Sequence, residues 1–197
     1  MKDITYKIIF YSEWHCGSGL TSGSDLDALV VKDAEGFPFI PGKTLKGIIK
    51  EAAVEMISLK EENEQESTFI TELFGYFDEK STEKSEIHTK GKAFFSNAAL
   101  SADLRNETKE AGLIDFFYRD IASTAIGNNG IAKEHSLRRM ETVIPCELAG
   151  TIYNVDEKYV DDLSKCLKYI KRLGQNRNRG LGRCKFEVVE PKEEAKV

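Results

Sequence analysis

The sequence predicts an α+β protein with a ferredoxin-like, RRM-type βαββαβ core and an inserted thumb-like projection. Three observations carry that expectation: apolar alternation in the first ten residues, two amphipathic helical stretches flanked by strand-like segments, and a last alternating segment after a glycine–arginine loop. Two helices would then cover one face of an antiparallel sheet.

The elements follow in order. Ile4, Tyr6, Ile8 and Phe10 alternate with Thr5, Lys7 and Tyr11, which predicts a first strand. A Gly/Ser-rich loop follows, CGSGLTSGSD, then the apolar piece Leu29 to Val31. Asp33 to Gly36 makes a turn, and Phe37 to Ile40 leads back toward the core. Pro41 and Gly42 open a helix on which Leu45, Ile48, Ile49, Ala52, Ala53, Met56 and Ile57 keep helical spacing. A short second helix, Thr68 to Phe74, offers Phe69, Ile70, Leu73 and Phe74. Lys92 to Leu100 reads as a second strand.

Met140, Thr142, Ile144, Cys146, Leu148 and Ile152 read as a third strand, in which Pro145 marks a bulge or an exposed edge. Glu157 to Leu173 reads as helical, with Val160, Leu163, Leu167 and Ile170 inward. Cys184, Phe186 and Val188 mark the last strand. The expectation is one domain with insertions at about 60–90 and at 101–139. The second insertion contains the turn Gly127 to Gly130, and its apolar content argues for an ordered projection.

Composition narrows the function. The chain has 197 residues, 41% hydrophobic and 31% charged, with a net charge of −5. Its longest apolar runs fall far short of a bilayer span, and the start alternates around Asp3 and Lys7 rather than forming a signal-peptide block. A cytoplasmic protein is expected. Cys16, Cys146, Cys166 and Cys184 are scattered without CxxC or zinc spacing, which predicts four free thiols. Glu61, Glu62, Glu64 and Glu66, and the polar run Asp78 to Glu86, read as solvated helix ends and a mobile loop. The tail Glu190 to Val197 reads as frayed.

Against that acidic background, RLGQNRNRGLGRCKF sets Arg172, Arg177, Arg179 and Arg183 around Gly174, Gly180 and Gly182. From Leu167 to Lys185 there are seven Lys or Arg and no Asp or Glu. Glycines let main chain approach a ligand closely, and forked guanidinium donors suit phosphate. A cationic island on an acidic protein points to a confined anion site; the plain alternative is a loop of solvated arginines.

Other motifs carry two readings each. GKT at Gly42 to Thr44 departs from a P-loop, because Gly36 lies one residue too far upstream and Phe37 takes the required glycine's place. The same residues also read as a helix amino terminus whose free N–H groups, with Lys43 or Lys46, hold a phosphate. Asp25 and Asp27 read either as turn formers or as carboxylates that hold hydrated magnesium or orient a reacting hydroxyl. His15 and Cys16 are adjacent, but strand neighbours point to opposite faces, which argues against a nucleophilic pair.

Three elements in this order, HCGSG, then DLDALVVKDAEGFPFIPGKTLKGIIKEA, then LGQNRNRGLGR, resemble the RAMP superfamily of CRISPR-associated proteins. The resemblance is to the repeating backbone subunit of type III effector complexes in particular, and it spans most of the chain. ELFGYF at Glu72 to Phe77 and SLRRMETV at Ser136 to Val143 are similar to further family segments. The resemblance implies binding of CRISPR RNA, cutting of complementary target RNA by a metal-dependent endoribonuclease, head-to-tail assembly with copies of the chain, and other type III subunits as partners.

Position by position, the resemblance places the catalytic aspartate on Asp27, with Asp33 as the turn residue and Mg2+ or another divalent cation as cofactor. Asp25 has no firm counterpart and would only assist at the metal. The implied RNA-binding residues are His15, Lys43, Thr44 and Lys46, and the loop arginines Arg177, Arg179 and Arg183 join them as phosphate contacts. Two departures stand out: Leu29 replaces a proline usual in the family, and Gly127-Asn128 replaces an Asp-Arg pair of the thumb. A catalytically inactive RNA-binding scaffold of the same family, and a nucleotide-binding enzyme using Gly42 to Thr44, remain as alternatives.

Overall fold

In the computed structural model, which describes residues 1–22, 26–58, 64–77 and 88–189, the first strand organises the sheet. It is β1 (Lys2–Phe10), and it buries Ile4, Tyr6, Ile8 and Phe10 beneath the helices. After it come β2 (Phe39–Ile40), α1 (Gly42–Ser58), α2 (Glu64–Phe74), β3 (Gly75–Phe77), β4 (His88–Lys90), β5 (Phe94–Phe95) and β6 (Ala98–Ala99). The chain continues through α3 (Ala102–Glu110), a 3-10 turn (Ile114–Phe117), β7 (Tyr118–Ser123), β8 (Arg138–Val143), β9 (Glu147–Val155), α4 (Val160–Tyr169) and β10 (Cys184–Val189).

The main sheet runs β10-β1-β9-β6-β2, with β5 also on β9, and all its pairings are antiparallel. With β5 and β6 taken together as the second core strand, the order is fourth, first, third, second, as the βαββαβ expectation requires. The expected second strand is broken at Ser96-Asn97, where Ser96 Oγ accepts from the Thr151 amide (2.8 Å) in place of a regular ladder partner.

The expected third strand is two strands in two sheets. β9 lies in the main sheet beside β1, whereas β8 pairs with β7 in a separate hairpin. The break falls at Ile144-Pro145-Cys146: proline removes a ladder donor, and the chain changes sheets there. The projection is therefore the hairpin Tyr118–Val143, and the part of the 101–139 insertion before it is α3 and the 3-10 turn. Of the 60–90 insertion, the described residues form α2, β3 and β4, and α2 packs Phe69, Leu73 and Phe74 into the core.

α1 carries no acidic residue in its first turn and no basic one in its last, so charge does not complement its dipole. Burial of Leu45, Ile49, Ala52 and Ala53 holds it instead, at roughly 1.5–3 kcal/mol for each fully buried Leu or Ile. α4 ends at Tyr169, earlier than the apolar spacing suggests. Ile170 to Leu173 leave the helix, and Arg172 bridges to Arg183 as extended chain.

α3 is clamped to the turn at Asp33–Gly36. Arg105 pairs with Asp33 and Glu35 (2.6 Å each) and lies over the buried Phe37 ring, while the Tyr118 hydroxyl donates to Gly36 O. Partial burial alone would raise the Asp33 carboxyl. The Arg105 guanidinium and the amides of Phe37 and Glu35 outweigh it and hold the group below the ordinary carboxylate range.

The sheet face away from the helices is open. It presents exposed Phe94 and Tyr153, with ring centroids 5.9 Å apart, and the ion pairs Lys7–Glu147 and Lys185–Glu187.

Candidate nucleic-acid interface

The glycine–arginine loop is closed at its neck and sewn to the segment that follows β1. At the neck, the Leu173 amide donates to Gly182 O and the Cys184 amide to Lys171 O, both at 2.9 Å. On its inner side the Gln175 amide donates to His15 O (2.9 Å) and the Gly182 amide to Glu13 O (2.7 Å). The Arg183 amide donates to Ser12 Oγ (2.9 Å). Two glycines make this approach possible. Gly174 (φ +98°) lies against the His15 carbonyl and Gly182 (φ +69°) against the Leu173 carbonyl, where a Cβ would collide with backbone oxygen.

The loop's cations face outward. Arg172, Arg177, Arg179 and Arg183 are all exposed, around a 3-10 turn at Arg177–Arg179. Arg177 reaches Glu51 of α1 at 3.5 Å, Arg172 donates to Arg177 O, and Arg183 lies over the Tyr11 ring. Arg179 has no acidic partner among the described residues. An exposed pair such as Arg177–Glu51 contributes under about 1 kcal/mol and does not tie the cation up. The loop thus presents four accessible guanidinium groups to a polyanion.

The start of α1 lies on the same side. The Thr44 side chain lies beside Cys16, one residue from the His15 carbonyl that carries the loop, and Arg177 of the loop reaches Glu51 of α1. Lys43 is exposed and Lys46 half-buried, and neither has an acidic partner among the described residues. The free amides expected at this helix end are mostly taken. Gly42 N–H donates to Asn97 Oδ1 (2.9 Å), and those of Thr44 and Leu45 to Pro41 O. An anion at this end would meet the Lys43, Thr44 and Lys46 side chains rather than free helix amides. The committed Gly42 amide and the buried Phe37 also leave no phosphate-cradling loop for a nucleotide site at Gly42 to Thr44.

Asp27 sits on the free edge of β8. Its amide donates to Arg139 O, and its Oδ2 accepts from the Arg139 amide, both at 2.8 Å. Two residues along, the Glu141 amide donates to Ala28 O (3.0 Å) and the Glu141 carbonyl accepts from His15 Nδ1 (2.6 Å). Two further on, Val143 exchanges backbone bonds with Trp14. His15 and Asp27 thus hang on one strand edge, attached about 7 Å apart by strand geometry. His15 is fully buried. Its Nδ1 is engaged by Glu141 O, and its Nε2 has no partner among the described residues.

Sequence reasoning missed Glu141. This buried carboxylate accepts from the Val30 amide (3.0 Å) and pairs with Lys32 (2.8 Å), fixing the segment that follows Asp27. It also missed that Met140 meets Asn176 of the arginine loop, Nδ2 to Sδ 3.7 Å. Pro145 was the available signal: separating β8 from β9 would have freed SLRRMETV to serve the site. Cys16 is no nucleophile, since burial pushes its thiol up to about 11 despite the Thr44 hydroxyl.

Asp25 lies outside the described residues. Among those described, no three His, Cys, Asp or Glu gather as a metal site. Asp27 Oδ2 is engaged, which leaves Oδ1. One free carboxylate oxygen can supply a single ligand to a divalent ion and does not by itself cage one.

The profile of the RAMP superfamily matches residues 7–185. A chain in the cryo-EM structure of the Type III-B Cmr-beta bound to cognate target RNA shares 13% identity with a TM-score of 0.69, covering 95% of this chain and 97% of that one. A chain of the Type III-B Cmr-beta Apo state shares 13% identity with a TM-score of 0.67, at the same coverage. At that identity the likeness shows the fold. No curated protein matches the sequence. Among the described residues, no helix is long and apolar enough to cross a membrane.

Proposed function

The chain belongs to the RAMP superfamily, and from that premise we propose that it is a type III CRISPR effector backbone subunit that binds guide RNA and cuts the paired target RNA. One observation carries the reading: two separated cationic stretches, Lys43–Lys46 and Arg172–Arg183, converge on His15-Cys16, with Asp27 on the adjoining strand edge. Backbone glycines and exposed arginines suit phosphate rather than base edges, so sequence choice is left to guide pairing. Copies of the chain stacked head-to-tail along the guide, beside other effector subunits, would repeat the site.

RNA carries its own nucleophile, the 2′-hydroxyl, so the protein has to align it and offset charge on the phosphate. Asp27 Oδ1, the oxygen that the Arg139 amide does not engage, would take the hydroxyl proton. A divalent ion, when bound, would be held by Asp27 and RNA oxygens and would neutralise phosphate charge. The scaffold reading rests on a different observation, the Asp27–Arg139 bond itself, which already gives the carboxylate a loop-shaping role.

The RNA-binding part is tested by filter binding of a single-stranded guide to wild type and to Arg177→Gln/Arg179→Gln/Arg183→Gln. The triple variant should lose at least about tenfold in affinity, and its log–log salt slope should fall by about 2. Unchanged affinity and slope would dismiss the arginine loop as the phosphate contact.

A further inference from the structure

Of the two arginines of β8, Arg139 pairs with an acid and Arg138 with none among the described residues. Arg139 pairs with Asp120 (3.0 Å), Arg119 with Glu13 (3.3 Å), and Lys32 with the buried Glu141. Arg138 is exposed and has no ion-pair partner among the described residues.

Its position is fixed by strand parity. Residues 139, 141 and 143 of β8 share one face of the hairpin, where Glu141 meets Lys32 and Arg139 meets Asp120. Residues 138, 140 and 142 share the other. On that second face Thr142 Oγ1 lies 3.5 Å from Glu13 Oε2, and Met140 contacts Asn176 of the arginine loop, so this is the face that looks toward the phosphate-binding side. Arg138 is the next residue along it. Moreover, the amide that Asp27 Oδ2 accepts from belongs to the peptide bond joining Arg138 to Arg139. The carboxylate and the base of the Arg138 side chain are therefore neighbours by construction.

The geometry points to Arg138 as a further catalytic residue, the guanidinium that meets the non-bridging oxygens of the scissile phosphate. The assignment rests on the proposed RNA cleavage. In that reaction the bond from the 2′-oxygen to phosphorus forms as the bond from phosphorus to the 5′-oxygen breaks, giving a 2′,3′-cyclic phosphate and a free 5′-hydroxyl. The 2′-hydroxyl proton passes to the Asp27 carboxylate, and the leaving 5′-oxygen takes a proton from water. Negative charge accumulates on the non-bridging oxygens in the transition state, and a planar, forked, permanently charged donor stabilises that charge more than the ground state. Lys43, Lys46 and the loop arginines grip the strand instead.

The test is single-turnover cutting and target affinity in the guide-loaded assembly, for wild type, Arg138→Gln, Arg138→Lys and Asp27→Asn. Arg138→Gln should cut about 100-fold more slowly with a target Kd within about threefold of wild type. Arg138→Lys should recover part of the rate, and added guanidinium ion should rescue Arg138→Gln. The side chain is exposed, so the melting temperature should not move. If Arg138→Gln cuts at the wild-type rate while Asp27→Asn is inactive, the assignment is wrong and the cleavage reading stands. If Arg138→Gln loses rate only through weakened target binding, Arg138 is a gripping residue and the assignment is again wrong. If Asp27→Asn itself cuts at the wild-type rate, the cleavage reading falls and takes this one with it.

Discussion

Asp27→Asn in the guide-loaded assembly is expected to slow target cutting about 1000-fold, the span typical of losing a positioned general base. Affinity for guide and target should stay within about twofold. The choice of asparagine matters. Its side-chain oxygen can still accept from the Arg139 amide, so the contact that shapes the loop survives while the charge disappears. Asp27→Ala removes both and confuses the two roles. Single-turnover cleavage of an end-labelled target separates the outcomes: a collapsed rate assigns chemistry to the carboxylate, and an unchanged rate leaves Asp27 as a loop fastener in an inactive scaffold.

Gly182→Ala should be the most disruptive single substitution in the binding region. The residue holds φ +69°, which costs a non-glycine roughly 1–2 kcal/mol, and the new methyl group would strike the Leu173 carbonyl oxygen. That carbonyl is backbone, and Leu173 is itself bonded through its amide to Gly182 O, so neither partner can retreat without opening the loop's neck. A loss of about 3 kcal/mol or more follows, equivalent to a fall in Tm of about 6–12 °C for a chain of this size. RNA affinity should fall with it, because the arginines lose their mounting. Gly180→Ala is the internal control. Gly180 is equally left-handed at φ +95° but faces open space, so it should cost only the backbone strain. Thermal melts of both variants check this directly.

The parts legible in the sequence were those decided locally. Alternation at Ile4, Tyr6, Ile8 and Phe10 determines which face of β1 is buried, and the Leu45–Ile49–Ala52–Ala53 stripe determines the face of α1. The turn at Asp33 is likewise local, since its carboxylate bonds the amides of Glu35 and Phe37. Period two does not say which sheet a strand joins, and so β8 and β9 read as one strand although they lie in different sheets.

The same blindness hid Glu141, which fits the polar half of an alternating pattern but is buried against Lys32 and Val30 from 109 to 111 residues away. Ile170 continues the helical spacing of Leu163 and Leu167 and is buried, yet its backbone has left the helix to form the loop's neck. Nor does a helix start reveal how many of its amides are free. Asn97, far along the chain, takes the first one.

The convergence of two cationic stretches on His15-Cys16 is tested most directly by ultraviolet crosslinking of the RNA-loaded protein, with mass spectrometry of the adducted peptides. Adducts are expected on peptides covering Pro41–Lys46 and Gly174–Arg183. Adducts confined to the open sheet face around Phe94 and Tyr153, with none on those two stretches, would show that RNA lies across the sheet, and would contradict the account.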